Sequence, residues 1–315
     1  MKDFYYSKVR SVSSPVDPAV LWPNHTLFLH PRQYSNIFHI LEGTSVILRV
    51  LLHPEQFPRV AQIIISQQPR VTPGSWVVEL LDLYLDAFPA GQRPMYLPPR
   101  GAAKRTVCDR GMVVAKAWET AGTGSFIGEP LAADLLRAAA YRKFHWAFQW
   151  KKKGEKLAGI LIRREGKRKL LNHAEVLEGL RNEFGAELAL QEVALEHYSG
   201  REQIELFMHL DLVVAAHGAG LTNIIWMTPQ SFLYELFPPQ WRFGCYQRLA
   251  DNVGLQYRKD MAEGELGREC RVSPKSLSCL YAGTRDRDFR MDGGVVKEGV
   301  KMAMERVWLN KYQSE

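Results

Sequence analysis

Cysteine is scarce: the 315-residue chain carries four, Cys108, Cys245, Cys270 and Cys279, and no C-x-x-C pair. This excludes a disulfide-dense mini-protein and a tetracysteine zinc site, and admits one or two disulfides. Long apolar runs are missing too. VILRVLL and LDLVVAA fall far short of the roughly 20 residues of a membrane-spanning helix, and Met1 to Arg10 lack the apolar core of a signal peptide, so the chain reads as soluble. Acidic side chains are the minority, 34 against 41 basic, for a net charge of +7 with histidine neutral. The surplus favours anionic partners, whether phosphate esters, sugar nucleotides, nucleic acid or anionic membrane. No recognised nucleic-acid motif is present and the basic residues are dispersed, which argues against a nucleic-acid binder. At 46% hydrophobic residues the chain can build one or two cores, and disorder is excluded.

The second half alternates apolar runs with amphipathic stretches at the spacing of a parallel α/β sheet. Leu157 to Ile162, Ala186 to Val193, Leu212 to Ala216 and Ser231 to Phe237 read as strands. Helices are expected over Asn172 to Phe184, with Asn172 as N-cap and Gly185 as the stop, from Ser199 or Gly200 to Leu210, from near Gly220, and over Gln240 to Asn252. The first half is less regular. Arg59 to Ser66, Met95 to Leu97 and Val113 to Ala117 read as strands, and Ser75 to Phe88 and Ala132 to Trp150 as helices. The charged run Lys151 to Lys156 reads as a hinge, which divides the chain into 1–150, 151–294 and a last helix in 295–315.

The sharpest local signal is LVVAAHGAGLTN, with His217 to Asn223 placed directly after a strand and opening a helix. Glycines at 218 and 220 let backbone amides approach a ligand, and a helix N-terminus adds unpaired donors and a positive dipole end. That combination suits an anion, most naturally a diphosphate; the plainer alternative is a tight turn with no ligand. No G-x-x-x-x-G-K-[ST] string exists, which removes a P-loop. A dinucleotide fingerprint would need glycine or alanine where Asn223 stands. No G-x-S-x-G elbow accompanies the H-G-x-G string, which argues against a hydrolase.

In order along the chain come Arg164-x-x-x-Arg168, Leu171-Asn172-x-x-Glu175, Gln203, HGAGLTN, YELFP (Tyr234 to Pro238) and CYQRLADNVGLQY (Cys245 to Tyr257). This set resembles the catalytic domain of glycosyltransferase family 61. A weaker likeness extends over Tyr34 to His39 and Val107 to Arg110. The resemblance implies a GT-B-like α/β fold: two Rossmann-like doubly wound domains facing across a cleft, with the C-terminal helix crossing back to the first. It also implies an inverting, metal-independent enzyme that needs no cofactor and moves xylose or N-acetylglucosamine from a UDP-sugar to a glycan or glycoprotein. A nucleotide-sugar-binding pseudoenzyme, or a glycan-binding module without transfer activity, is the alternative.

On that reading the amides of Gly218, Gly220, Leu221 and Thr222, with Arg164, Arg168 and His217, stabilise the charge that grows on the diphosphate. Glu235 accepts hydrogen bonds from ribose or sugar hydroxyls. Asn172 and Glu175 cap and orient the arginine loop. The acceptor proton goes to Glu42, with His39 second. The resemblance would put the acidic residue four places after this histidine, where Gly43 stands, and this keeps the pseudoenzyme open. Asp286-Arg287-Asp288 has the letters of a metal-binding D-x-D but reads as solvated charge. Cys245 is either bridged or a buried free thiol. The resemblance also implies a Golgi or ER lumenal address, in line with the glycosylation triplet at Asn24, with the chain then expected to begin downstream of a true start.

Overall fold

The computed structural model describes residues 21–22, 25–30, 36–57, 59–65, 75–88, 95–97, 108–109, 112–116, 127–146 and 155–312. The Asn24 triplet and most of the charged hinge run lie outside these residues. The first half contains β1 (Leu21–Trp22), β2 (His25–His30), α1 (Ile37–Thr44), α2 (Val46–Leu52), β3 (Val60–Ile65), α3 (Trp76–Ala87), β4 (Met95–Leu97), β5 (Cys108–Asp109), β6 (Met112–Lys116) and α4 (Pro130–Phe144). Strands β4-β3-β2-β6 form a parallel sheet, and β1 pairs with β5 in parallel. Asn36 starts α1 by accepting a hydrogen bond from the Phe38 amide at 3.0 Å.

The second half contains β7 (Leu157–Ile162), α5 (His173–Phe184), β8 (Leu188–Val193), α6 (Gly200–Met208), β9 (Leu212–Ala216), β10 (Phe232–Phe237), α7 (Cys245–Asn252), β11 (Gln256–Met261), α8 (Arg268–Val272) and α9 (Gly293–Val307). Its five strands are all parallel, in the order β11-β10-β9-β7-β8. Strands β9 and β10 are buried along their whole length, as a sheet covered on both faces demands, which is why β9 reads as an unbroken apolar run and β10 as one interrupted only by Glu235. Side chains alternate between the faces. Leu157, Leu161, Val214 and Tyr234 join one core, whereas Ile160, Val213 and Leu233 join another that continues into the first half through Leu27, Leu80 and Leu136. Both halves are thus α/β with parallel sheets, as the sequence suggested.

Three expectations are corrected. Among the described residues helix α9 packs on its own half rather than on the first: Val296, Val300, Ala303 and Val307 are buried in the core with Leu157, Leu177 and Tyr234. Its apolar stripe is matched by the open face of the second sheet, and Gly299 lets it approach, since a Cβ there would lie 2.4 Å from the Tyr234 ring. The segment after the glycines, Ala219–Trp226, is a run of 3-10 turns rather than an α-helix. Finally, α7 begins at Cys245 rather than Gln240, because Gln240 is left-handed at φ 60° and 241–244 form a loop. A disulfide joins Cys270 to Cys279, and Cys245 is a buried free thiol whose pKa burial pushes up. Among the described residues no helix is long and apolar enough to cross a membrane.

Candidate functional site

The strand order reverses between β7 and β9, and doubly wound sheets bind ligands outside the carboxyl ends of the strands at such a point. Ile162 pairs with Ala215 across these strands, so two residues further on Arg164 and His217 leave the sheet side by side. Gly218 is extended at φ 172°, a backbone any residue adopts; glycine is needed there for space, because a Cβ would meet Arg164 Nη1 at 1.5 Å. The guanidinium is held at its other edge, where Nε donates to the Lys167 carbonyl at 2.9 Å. Arg168 follows in a left-handed conformation, φ 64°, with a buried Nε that has no hydrogen-bond partner among the described residues.

Neither arginine forms an ion pair among those residues. Burial lowers the pKa of Arg164, and burial together with the neighbouring Arg164 charge brings Arg168 down to about 10. Two half-buried guanidiniums, one of them depressed by its neighbour, favour an anion.

The loop carrying them is braced from outside. Asp286 accepts from Lys167 Nζ at 2.9 Å and from Arg285 Nε at 2.8 Å. Burial works to raise its pKa, yet these cations hold it at about 2. Asp288 takes the Lys169 amide at 2.8 Å. Asp286, with a side chain only 7% exposed, is therefore a brace of the arginine loop, which corrects its reading as solvated charge. Among the described residues no three His, Cys, Asp or Glu side chains converge as metal ligands. Asn172 makes no side-chain cap bond on α5. Its amide instead donates to the Met291 carbonyl at 2.9 Å and accepts from the Met291 amide at 3.2 Å, while Glu175 pairs with Arg290. These contacts tie the start of α5 to the segment 290–291.

His217 is buried with Nδ1 2.5 Å from Glu235 Oε1, and Tyr257 donates its hydroxyl to Glu235 Oε2 at 2.6 Å. Glu235 is fully buried and both its oxygens are engaged, so it does not take ligand hydroxyls as expected; it acts on His217. Burial lowers the His217 pKa, opposed by Glu235 and assisted by Arg168 and Arg164. Rings of Phe237, Trp241, Phe243 and Tyr246 surround the imidazole at 4.7 to 6.2 Å.

Of the expected amide donors, Leu221 is spent on the Gly218 carbonyl at 2.9 Å, and both Leu221 and Thr222 are buried. The open stretch is Ala219 and Gly220. Asn223 fixes it, donating to the Gly220 carbonyl at 3.1 Å and to Gln203 at 2.9 Å while accepting from Trp76 Nε1 at 2.6 Å.

The first half contributes α1, whose His39 Nδ1 lies 2.9 Å from Glu42 Oε2. It packs against the 219–226 turns and reaches the anion pocket through rings. Phe38 meets His39 at 5.2 Å and Tyr246 at 5.6 Å, and Tyr246 meets His217 at 5.1 Å. The expected residues Arg164, Arg168, His217 and Gly218 are thus brought together, with Glu42 and His39 two rings away. Sequence reasoning missed Tyr257, Tyr246 and Asp286 as parts of the site. Tyr246 and Tyr257 stand inside the CYQRLADNVGLQY block, so the resemblance marked the stretch without the roles.

A parallel doubly wound sheet with two arginines at its switch point, neither in an ion pair among the described residues, defines an α/β protein with a cationic site where such sheets take ligands. The family model of glycosyltransferase 61 matches residues 59–234, more than half of the chain, and the chain belongs to that family. Similar proteins include the EGF domain-specific O-linked N-acetylglucosamine transferases of Drosophila melanogaster and Gallus gallus. The first is 26% identical over 183 residues, which is 56% of this chain and 34% of the relative. The second is 27% identical over 142 residues, 42% of this chain and 26% of the relative. A beta-1,2-xylosyltransferase of Arabidopsis thaliana is 30% identical over 63 residues, 20% of this chain and 12% of the relative. The chain spans about a third or less of the length of these relatives.

Proposed function

We propose that the protein is an inverting, metal-independent glycosyltransferase of GT-B arrangement that moves a sugar, N-acetylglucosamine or xylose, from a UDP-sugar to a glycan or glycoprotein. The observation that carries this reading is the pair Arg164 and Arg168, the first seated against Gly218 and the second with an unpaired buried Nε. Fixed cations aimed at a diphosphate stabilise the charge that develops as it leaves, without reorganising during the reaction. In a single displacement the acceptor oxygen forms its bond to the anomeric carbon as the bond from that carbon to the diphosphate oxygen breaks. The electron pair leaves with UDP, and Glu42, oriented by His39, takes the acceptor proton. The names of the relatives support the two candidate sugars. The Cys270–Cys279 disulfide and the Asn24 triplet support an oxidising, lumenal compartment, Golgi or ER.

The test is a panel of UDP-sugars titrated with EDTA present, followed by UDP release with and without acceptor glycans. Binding and turnover that survive the chelator, vanish in Arg164→Ala, and in Glu42→Gln lose turnover alone are the expected result. Absence of binding to every UDP-sugar would sink the reading. Binding without turnover for any acceptor would favour the pseudoenzyme, consistent with Gly43 at the acidic position.

A further inference from the structure

Glu235 stands on the strand face turned toward the first half, beside Leu233, and is removed from solvent. Its two oxygens are divided between Tyr257 and His217. A carboxylate in that position keeps the proton of a neutral imidazole on Nδ1. Nε2 then carries a lone pair, and among the described residues no side chain or carbonyl holds it. A lone pair facing a diphosphate repels it; the same nitrogen carrying a proton donates a charge-assisted hydrogen bond.

We propose that Glu235 and Tyr257 are positioning residues for His217, which takes up one proton at Nε2 when the diphosphate of a nucleotide sugar binds. This rests on the donor site proposed above and deepens it. The groups facing the imidazole agree. Arg164 and Arg168, from the loop after β7, disfavour its proton while the pocket is empty, and a diphosphate between them and His217 cancels that repulsion. Glu235, from β10, favours the proton throughout. Tyr246 and Cys245 of α7, Tyr257 of β11, and the rings of Trp241 and Phe243 are neutral at physiological pH. Glu42 and His39 of α1 stand beyond Phe38. The proton comes from solvent, bridges Nε2 and a diphosphate oxygen while the glycosidic oxygen departs, and returns to solvent when UDP is released.

Titration calorimetry on the full chain with UDP-N-acetylglucosamine and UDP-xylose, each in two buffers of different ionisation heat between pH 6 and 8.5, reads the proton directly. The diphosphate of these donors has no ionisation of its own in that range. Uptake of up to one proton per donor is expected, with affinity falling as pH rises by at most tenfold per unit. In Glu235→Gln binding should persist, held by the arginines, with uptake gone and the pH slope flat. Tyr257→Phe keeps the ring and should reduce the uptake. Donor binding with no proton uptake in the natural protein, or undiminished uptake in Glu235→Gln, overturns this proposal and leaves the donor site standing. Failure of both donors to bind at any pH overturns both.

Discussion

At the scale of single residues, Gly218 keeps open the seat of the Arg164 guanidinium. A Cβ at 1.5 Å from Arg164 Nη1 displaces the guanidinium from its seat while leaving the strand and the extended backbone as they are. Hydrogen bonds to charged groups contribute about 1.5–3 kcal/mol each. Gly218→Ala should therefore weaken nucleotide-sugar binding roughly 10- to 100-fold with little change in the thermal midpoint. Calorimetry and a thermal melt on the same sample check this, and unchanged affinity would mean that Arg164 does not hold the ligand.

Asp286 makes the complementary prediction in pH. Its carboxyl is held at about 2 by Arg285 and Lys167 against the pull of burial, below the usual aspartate value near 3.9. A depressed carboxyl contributes stability that is present above the unfolded value and lost as pH falls through the folded one. The stability difference between the natural protein and Asp286→Asn should therefore be constant from about pH 7 to 5 and shrink between about pH 4 and 2. Urea unfolding at each pH measures it; a difference that shrinks near pH 6 would show that another group carries the brace.

At the scale of elements, α9 tests how tightly helix and sheet are fitted. The Tyr234 ring under Gly299 cannot retreat freely, because its hydroxyl donates to Asp260 at 2.6 Å and the Arg258 guanidinium lies 5.7 Å from the ring centre. Alanine would gain up to about 1 kcal/mol of helix propensity, while overpacking costs about 1–3 kcal/mol. Net destabilisation of Gly299→Ala is expected, seen as a lower urea midpoint at unchanged slope. Net stabilisation would mean that α9 slides along the sheet.

The same elements show what the sequence discloses. Strands β7 and β9 were legible to the residue because a strand buried on both faces is a bare apolar run, ended in β7 by Arg163 and in β9 by His217 and Gly218. Helix α6 was legible through Ser199, whose capping box with Glu202 is formed. The 219–226 turns were not, since Asn223 and Trp76, 147 positions apart, jointly hold that stretch and local spacing cannot register such a partner. Strand β2 and the destination of α9 also went unread, because pairing and docking depend on which face remains uncovered. In the site, the arginines and glycines were legible by their loop chemistry. Glu235 was given the wrong partner because a carboxylate at a strand end looks the same in sequence whether it meets a ligand or a buried histidine.

At the scale of the whole molecule, the two halves meet through a core without a break and through polar contacts buried within it. Arg137 of α4, 5% exposed, donates to the carbonyls of Ile225 at 3.0 Å and Met227 at 2.7 Å. Trp76 of α3 lies edge-on to Trp226, 6.4 Å between ring centres, and donates to the buried Asn223. The backbone at Trp76 approaches so closely that a Cβ on Gly200 would lie 2.5 Å from it. Halves joined in this way should unfold together. Trp76→Phe leaves Asn223 Oδ1 without its donor, a cost of about 1–3 kcal/mol, and loosens the amide that fixes the Gly220 carbonyl. The expected result is one cooperative thermal transition at a lower midpoint, together with weaker nucleotide-sugar binding, although the substituted residue belongs to the other half from the arginines. Calorimetric and van't Hoff enthalpies that agree would establish the single transition. Two separable transitions, with donor affinity unchanged in the upper one, would instead make the second half a self-sufficient nucleotide-sugar module on which the first half is only docked.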